Sequence, residues 1–271
     1  MKNLSRIFVV GLGWWLALST AQQGFAQVQE AVRRPAAKSQ QEHDDYQTAR
    51  RSSGGAALEK AASDFAQKYP ESELRRYLFS EALRQYQIEN NAAGMLAMGE
   101  RVLAIDPRDA SALVLSATVM ADGLSPDDVD RGRKVTKIKE YAARAFEALD
   151  TGRPSSSQAA LYRTTLKSMA YSALGIMELK TGNDAGAEKD LKAAADLPKL
   201  KPDPYVWYHL ALAQDHRKKY HAALDSVEQA LQLASRNPRL QQLAEAEHEH
   251  LNGLTRHAKE AQPSGGNQHP E

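Results

Sequence analysis

The sequence predicts an all-α fold in which antiparallel helix pairs stack on one another. Three observations support this prediction. Aromatic residues make up only 7% of the 271 residues while alanine and leucine recur, and this composition favours helix over strand. Apolar residues fall at helical spacing between proline and glycine marks. One stretch of the chain repeats after 36 residues, a period typical of stacked helical repeats.

The first 26 residues have the pattern of a secretory signal peptide. Met1–Arg6 carries two positive charges, Ile7–Ala21 is almost entirely apolar, and small residues stand before both candidate cleavage positions, Ala21 and Ala26. We therefore expect residues 1–26 to direct export to the periplasm or out of the cell. Cleavage at either alanine and retention as an anchor stay open, although the apolar run is shorter than the roughly 20 residues that span a bilayer.

Residues 27–55 are predicted to be a flexible linker. They are rich in Gln, Ala, Ser, Arg and Glu, offer little apolar surface, and close on two serines and two glycines. A short helix over Gln40–Ala49 remains an alternative. Residues 258–271 end in Pro, Gly, Asn and His and are predicted to be a disordered tail. The chain has no cysteine, which excludes disulfides and thiolate-based metal or redox sites.

Residues 56–257 are predicted to form the helical repeat domain. Prolines such as Pro70 and Pro107 and glycines such as Gly123 and Gly182 mark its joints. Short links between helices of this length favour antiparallel neighbours. The predicted helices are Ala56–Lys68, Ser72–Gln87, Ala92–Ile105, Ala110–Ala121, Asp127–Leu149, Ser156–Lys180, Ala185–Asp196, Tyr205–Lys218, His221–Leu233 and Arg239–His257.

The repeat is clearest in residues 168–238. Small residues in both copies would let paired helices approach closely, while aromatic and leucine side chains fill the space between successive pairs. Tyr171, Leu174, Gly175, Ala187, Leu191 and Ala194 are matched 36 residues later by Trp207, Leu210, Ala211, Ala223, Val227 and Ala230.

This pattern resembles the tetratricopeptide repeat, which carries an aromatic residue, Leu and Gly on a first helix and then Ala with a large apolar residue four positions on. The resemblance implies a right-handed α-solenoid. Two departures are visible: the copies are 36 rather than 34 residues apart, and the closing Pro238 comes three places late. Earlier copies are weaker, since Met95 and Gly99 replace the usual pair on the second helix.

The resemblance also implies where a partner binds, because the first helix of each pair lines a concave groove in this family. The implied partner-binding groove consists of Met169, Ser172, Ile176, Leu179, Tyr205, Tyr208 and Leu212. Family members that clamp a carboxylate use Lys, Arg and Asn there, and none stands at these positions, so an apolar helix or extended segment is the expected ligand. An alternative stays open, in which Arg239–His257 covers this face as the cap of the solenoid.

No catalytic residue, metal site or cofactor is predicted, because the glycine-loop and nucleophile motifs are absent. His248 and His250 are two positions apart and would point about 200° away from each other on a helix, which disfavours a shared metal. His209 and His216 share one side of a helix and are interpreted as an exposed flank. Asp127–Asp130 is interpreted as the acidic first turn of a helix rather than a calcium loop.

The net charge of +1 gives no general attraction to nucleic acid or to an anionic membrane, and no stable membrane span is expected after signal cleavage. The export signal and the repeat together predict a non-enzymatic, monomeric scaffold or adaptor of the cell envelope that binds a protein or peptide. The alternative is an accessory or regulatory subunit of an envelope enzyme or export complex, docked through the basic segment Arg131–Lys139.

Overall fold

The structure, a computed structural model, describes residues 36–151, 154–235 and 237–260, and these residues form helices joined by short turns. The predicted signal peptide, the start of the predicted linker and most of the predicted tail lie outside them. The helices are α1 (Gln40–Arg50), α2 (Gly55–Lys68), α3 (Leu74–Ile88), α4 (Ala92–Ile105), α5 (Ala110–Asp122), α6 (Arg131–Asp150), α7 (Ser157–Thr181), α8 (Asp184–Asp196), α9 (Pro204–His216), α10 (Tyr220–Leu233) and α11 (Pro238–Glu260).

Consecutive helices pack in pairs, α1 with α2, α3 with α4 and onward to α9 with α10, and α11 follows as a single helix. The first helices also contact one another, α1 with α3, α5 with α7, α7 with α9, and α9 with α11. They form one layer, the first-helix layer, and the second helices α2, α4, α6, α8 and α10 form the other. The predicted all-α stack of helix pairs is confirmed.

Local sequence explains where most of these helices begin and end. Asn91, Asp109, Ser156 and Asn183 each precede a helix, and their side-chain oxygens accept hydrogen bonds from backbone N–H groups of its first turn. Gly182 ends α7 with φ of 80°, a left-handed conformation that glycine adopts without steric cost. Within the described residues, none of the helices combines the length and the apolar character that a bilayer crossing requires.

The core consists of two apolar clusters. The larger extends from Ala49 on α1 to Ala213 on α9, and the smaller joins Tyr205 and Tyr208 on α9 to residues of α10 and α11, including Leu240 and Leu251. The half-buried Trp207 packs against both clusters. The smaller cluster therefore closes the C-terminal end of the stack.

The predicted repeat-packing residues lie where paired helices meet. A Cβ atom built on Gly175 of α7 would come within 2.5 Å of the Leu191 Cγ of α8, so these helices approach as closely as glycine allows. Tyr171, Leu174 and Trp207 are half-buried, and Leu210 is buried. The members that expose none of their surface are Ala187, Leu191, Ala194, Ala211, Ala223, Val227 and Ala230.

Two sequence-based expectations need correction. The predicted linker contains α1, because Ser39 accepts a hydrogen bond from the Glu42 N–H at 3.1 Å and the Glu42 carboxylate accepts one from the Lys38 N–H at 2.6 Å. These two bonds cap the helix. Asp127–Asp130 does not form a first helical turn, since α6 begins only at Arg131.

Candidate functional site

The first-helix layer is the surface on which the predicted groove lies, and α5 and α7 form its middle. The hydroxyls of Ser111 and Tyr162 lie 2.7 Å apart near the starts of the two helices. At their other ends, Lys180 Nζ donates to the Ala121 carbonyl at 3.0 Å. The two helices therefore run side by side in the same direction, as first helices of successive pairs do.

The structure places the predicted groove residues of α7 against the interior. Ser172 and Ile176 expose 0% and 1% of their surface, while Met169 and Leu179 are half-buried. Every residue of α7 from 159 to 180 is buried or half-buried. The helix is thus surrounded by its neighbours, and the expected open apolar face is not found at Ser172 and Ile176.

The predicted groove residues of α9 are covered by the last helix. Tyr205 exposes 3% and Tyr208 7% of its surface, and Leu212 is half-buried. The Tyr205 hydroxyl accepts a hydrogen bond from Asn237 at 3.0 Å, just before α11 begins. Because a stack of helix pairs must bury its last apolar face, α11 acts as a cap, and of the two alternatives the covered face is the one observed.

A group of ionisable side chains lies where α5, α7 and α9 converge, and no motif in the sequence marks it. Burial raises the pKa of Asp122 to about 7, against the opposing charge of Lys180. Burial likewise raises the pKa of Asp203 to about 7, although Asp203 accepts a hydrogen bond from the Tyr205 N–H at 2.9 Å. Lys180 also donates to the Asp122 carbonyl. Both Lys180 and Asp203 thus serve to cap helix ends, a structural role.

His209 belongs to this buried region, so its interpretation as an exposed flank was wrong. The ring exposes 8% of its surface and Nδ1 donates to the Tyr205 carbonyl at 2.9 Å. Burial lowers the pKa of His209 to about 4, which keeps the ring neutral at physiological pH. His216, seven residues on, is exposed and contacts Asp184 at 2.9 Å.

The open part of the first-helix layer lies on α1 and α3. Tyr77, Arg84 and Ile88 are seven and four residues apart and therefore share one side of α3, since a helix turns about 100° per residue. Arg84 is exposed, and Ile88 exposes 46% of its surface. Tyr46 of α1 lies beside them, and the Arg84 charge acts on its hydroxyl. These four residues are called the α1–α3 face.

The α1–α3 face is held in shape by contacts on either side. Arg50 lies 5.6 Å from the centre of the Tyr46 ring and forms an ion pair with Glu81 of α3 at 2.8 Å. The Arg76 guanidinium lies 4.5 Å from the Tyr77 ring and pairs with Asp109 at 2.9 Å. Two tyrosines are thus fixed by cation–π contacts, while Arg84 forms no ion pair with any residue that the structure describes. Ser39-x-x-Glu42 was the signal in the sequence that could have placed α1, and with it half of this face.

The basic segment is largely engaged within the chain. Arg131 donates to the Lys180 carbonyl, Lys134 pairs with Asp128 at 2.8 Å, and Lys137 pairs with Glu100 at 2.9 Å. Arg133 and Lys139 are exposed.

His248 and His250 point toward different helices, as their spacing predicts. His248 lies 3.6 Å from Glu228 of α10, whereas His250 lies 3.5 Å from Asp215 of α9. In the described part of the chain, no three His, Asp or Glu side chains are arranged to hold a metal ion.

Comparison with known proteins finds a likeness in structure but none in sequence. No protein-family profile matches the sequence, and no curated protein matches it. Among solved structures, the chain is similar to the crystal structure of TTC0263, described as a thermophilic TPR protein in Thermus thermophilus. The two share 15% sequence identity with a TM-score of 0.48, and the alignment covers 76% of this chain and 98% of that one.

Proposed function

We propose that this protein is a non-enzymatic scaffold that holds a peptide or protein segment on the α1–α3 face. The observation that carries the proposal is the exposure of Ile88 and Arg84 beside two fixed tyrosines, on a layer in which α7 is buried by its neighbours and α9 is covered by α11. Aromatic rings and arginine are the side chains that contribute most to binding at protein interfaces. The N-terminal sequence pattern supports action outside the cytoplasm.

The composition of the face defines the expected partner. Tyr46, Tyr77 and Ile88 offer apolar contact, and Arg84 offers one positive charge that no carboxylate of the described residues pairs with. A segment with apolar residues and a nearby carboxylate would satisfy both, because an arginine can bind a carboxylate through two parallel hydrogen bonds. This surface replaces the α7 and α9 groove residues as the proposed contact.

The test is selection of a phage-displayed peptide library on the full chain, followed by affinity measurements on the recovered peptides by fluorescence anisotropy. The selected peptides should combine apolar and acidic residues. The double variant Arg84→Ala, Ile88→Ala should bind them roughly tenfold or more weakly than the wild type does. A matched control variant, Val129→Ala with Arg133→Ala, removes an exposed apolar residue and an exposed arginine elsewhere. It should bind as the wild type does.

Equal binding by the wild type and the Arg84, Ile88 variant would refute the α1–α3 face as the contact. Loss in the control variant instead would favour the alternative function, an accessory subunit docked through the basic segment, because Arg133 is one of its exposed cations. The salt dependence of the binding affinity distinguishes the two binding surfaces further, since a contact made mainly by the basic segment should weaken more steeply with ionic strength.

A further inference from the structure

A cavity of about 550 Å³ opens between α2, α3 and α4, on the other side of α3 from the α1–α3 face. It lies where α2 and α4 end and α3 begins. Its volume falls in the range of pockets that hold small organic molecules. The side chains that define its chemistry are Phe79, Ala104 and Ile105 on the apolar side and Gln67, Arg75 and Arg101 on the polar side.

The cavity is separate from the proposed partner surface. Arg75, in the cavity, and Arg84, on the α1–α3 face, are nine residues apart on one helix, which corresponds to about 900° of rotation, or half a turn beyond two full turns. They therefore lie on opposite sides of α3. A ligand in the cavity would not touch the α1–α3 face.

The two arginines of the cavity carry positive charge that no carboxylate of the described residues neutralises. Arg75 donates its Nε hydrogen to the Ser72 carbonyl at 2.9 Å, which fixes the side chain and uses one of its five N–H groups. Arg101 is exposed, and within the described ranges neither arginine forms an ion pair. The cavity therefore presents two cations beside apolar side chains.

Glu71 and Glu73, the acids closest to Arg75 in sequence, do not line the cavity, and three acids near its other residues are engaged with other cations. Glu100 pairs with Lys137 at 2.9 Å, Asp106 with Arg76 at 3.3 Å, and Asp64 with Lys60 at 2.6 Å. The helix ends contribute little, because the partial positive charge of the α3 N-terminus is opposed by the C-termini of α2 and α4. The arginine pair therefore sets the sign of the charge that the cavity favours.

We propose that the cavity binds a small amphipathic organic anion, with its oxyanion group on Arg75 and Arg101 and its apolar body against Ala66, Ala104 and Ile105. Guanidinium groups match the planar or tetrahedral oxygens of carboxylates and phosphates. The apolar residues bind the part of the ligand that an inorganic anion lacks. This site is independent of the proposed scaffold function.

The test uses 4-phenylbutyrate as the probe and the full chain at low ionic strength, with binding followed by ligand-observed NMR and isothermal titration. The uncharged 4-phenylbutanol tests the need for the charge, and inorganic phosphate tests the need for the apolar body. Arg101→Gln is the informative variant, because Arg101 is exposed and makes no contact that the fold needs. Arg256→Gln, an exposed arginine on α11 and outside both the cavity and the α1–α3 face, is its matched control.

We expect 4-phenylbutyrate to bind, Arg101→Gln to weaken this binding roughly tenfold or more, and Arg256→Gln to leave it unchanged. Phenylbutanol and phosphate should each bind at least tenfold more weakly than phenylbutyrate. Absence of binding up to about 10 mM, equal binding of the alcohol, or equal binding by Arg101→Gln would each overturn the proposal. Phosphate binding as tight as phenylbutyrate binding would show an anion patch without a role for the apolar residues, and would overturn it too.

Discussion

The charged form of the Asp203 side chain is favoured by a hydrogen bond and disfavoured by burial. Its carboxylate caps α9 by accepting a hydrogen bond from the Tyr205 N–H, which favours the charged form, yet burial disfavours that form more strongly and raises the pKa to about 7. An ordinary aspartate in the unfolded chain titrates near 3.9. The folded protein therefore binds a proton that the unfolded chain does not, from about pH 4 to pH 7.

The stability consequence has a definite sign. Because the folded pKa of Asp203 is raised, its contribution to the free energy of unfolding falls as pH rises from about 4 to 7 and is lowest above pH 7. Asp203→Asn keeps the cap but not the charge. The variant should match the wild type near pH 4 and be more stable by about 1–3 kcal/mol at pH 8.

Urea unfolding at several pH values measures this difference. Asp203→Ala is the control, because it removes both the charge and the cap and should be about 1 kcal/mol less stable than Asp203→Asn at every pH. A stability difference between Asp203→Asn and the wild type that stays constant from pH 4 to 8 would contradict the raised pKa.

At the scale of the helix, the pairing of α7 with α8 depends on one glycine. Gly175 faces Leu191, which has no exposed surface, and an added Cβ would lie 2.5 Å from its Cγ. Gly175→Ala should therefore lower the free energy of unfolding by about 1–3 kcal/mol, although alanine is the better helix former. Urea denaturation followed by circular dichroism measures the change.

Gly132→Ala provides the comparison, since a Cβ at Gly132 on α6 would meet nothing within 4 Å. Helix propensity acts alone there, and the variant should be stabilised by up to about 1 kcal/mol. If Gly175→Ala were as stable as Gly132→Ala, the close approach of α7 and α8 would not be a feature of the protein.

Lysine and arginine side chains connect helices that are far apart in sequence. Lys180 on α7 donates to two carbonyls at the end of α5, and Arg131 on α6 donates to the Lys180 carbonyl at the end of α7. Lys199, in the loop after α8, makes a local contact of the same kind and donates to the Ala194 carbonyl at 2.7 Å. Carbonyls at helix ends lack partners within the helix, so these cations stabilise the ends and favour their dipoles.

For the whole molecule, the separation of the core into two clusters predicts how it unfolds. Leu251 has no exposed surface and belongs to the smaller cluster with Tyr205 and Leu240. Leu251→Ala should cost about 2–5 kcal/mol of local stability. Because each helix pair contacts mainly its neighbours, the loss should speed amide exchange in α10 and α11 far more than in α3 and α5.

Hydrogen exchange measured by mass spectrometry gives this distribution along the chain. Leu113→Ala is the reciprocal variant, since Leu113 lies in the larger cluster on α5 and is fully buried. Its effect should centre on α5 to α7. Uniform acceleration of exchange in both variants would mean that the two clusters unfold as one.

Local patterns in the sequence predict most helices. The prediction for Ala92–Ile105 has the same bounds as α4, because Asn91 caps its start and Pro107 prevents its continuation. From the sequence, α1 is predicted only as an alternative to a flexible linker. Its composition resembles that of a linker, and only Ser39 and Glu42 mark its beginning. The interpretation of Asp127–Asp130 was wrong, because the segment precedes α6, where Asp128 and Asp130 pair with Lys134 and Asp128 also accepts a hydrogen bond from the Ser125 N–H.

Helix positions, caps and the small residues of the repeat follow from neighbours within a few residues, so they can be derived from the chain alone. The chain alone does not reveal which helix faces stay exposed, because exposure depends on packing against segments that are distant in sequence. Tyr205 and Tyr208 were predicted to line a groove, yet residues from Leu240 onward pack against them. Arg84 and Ile88 carry no repeat signal, and only the packing of α1 beside α3 shows that they border an accessible, aromatic surface.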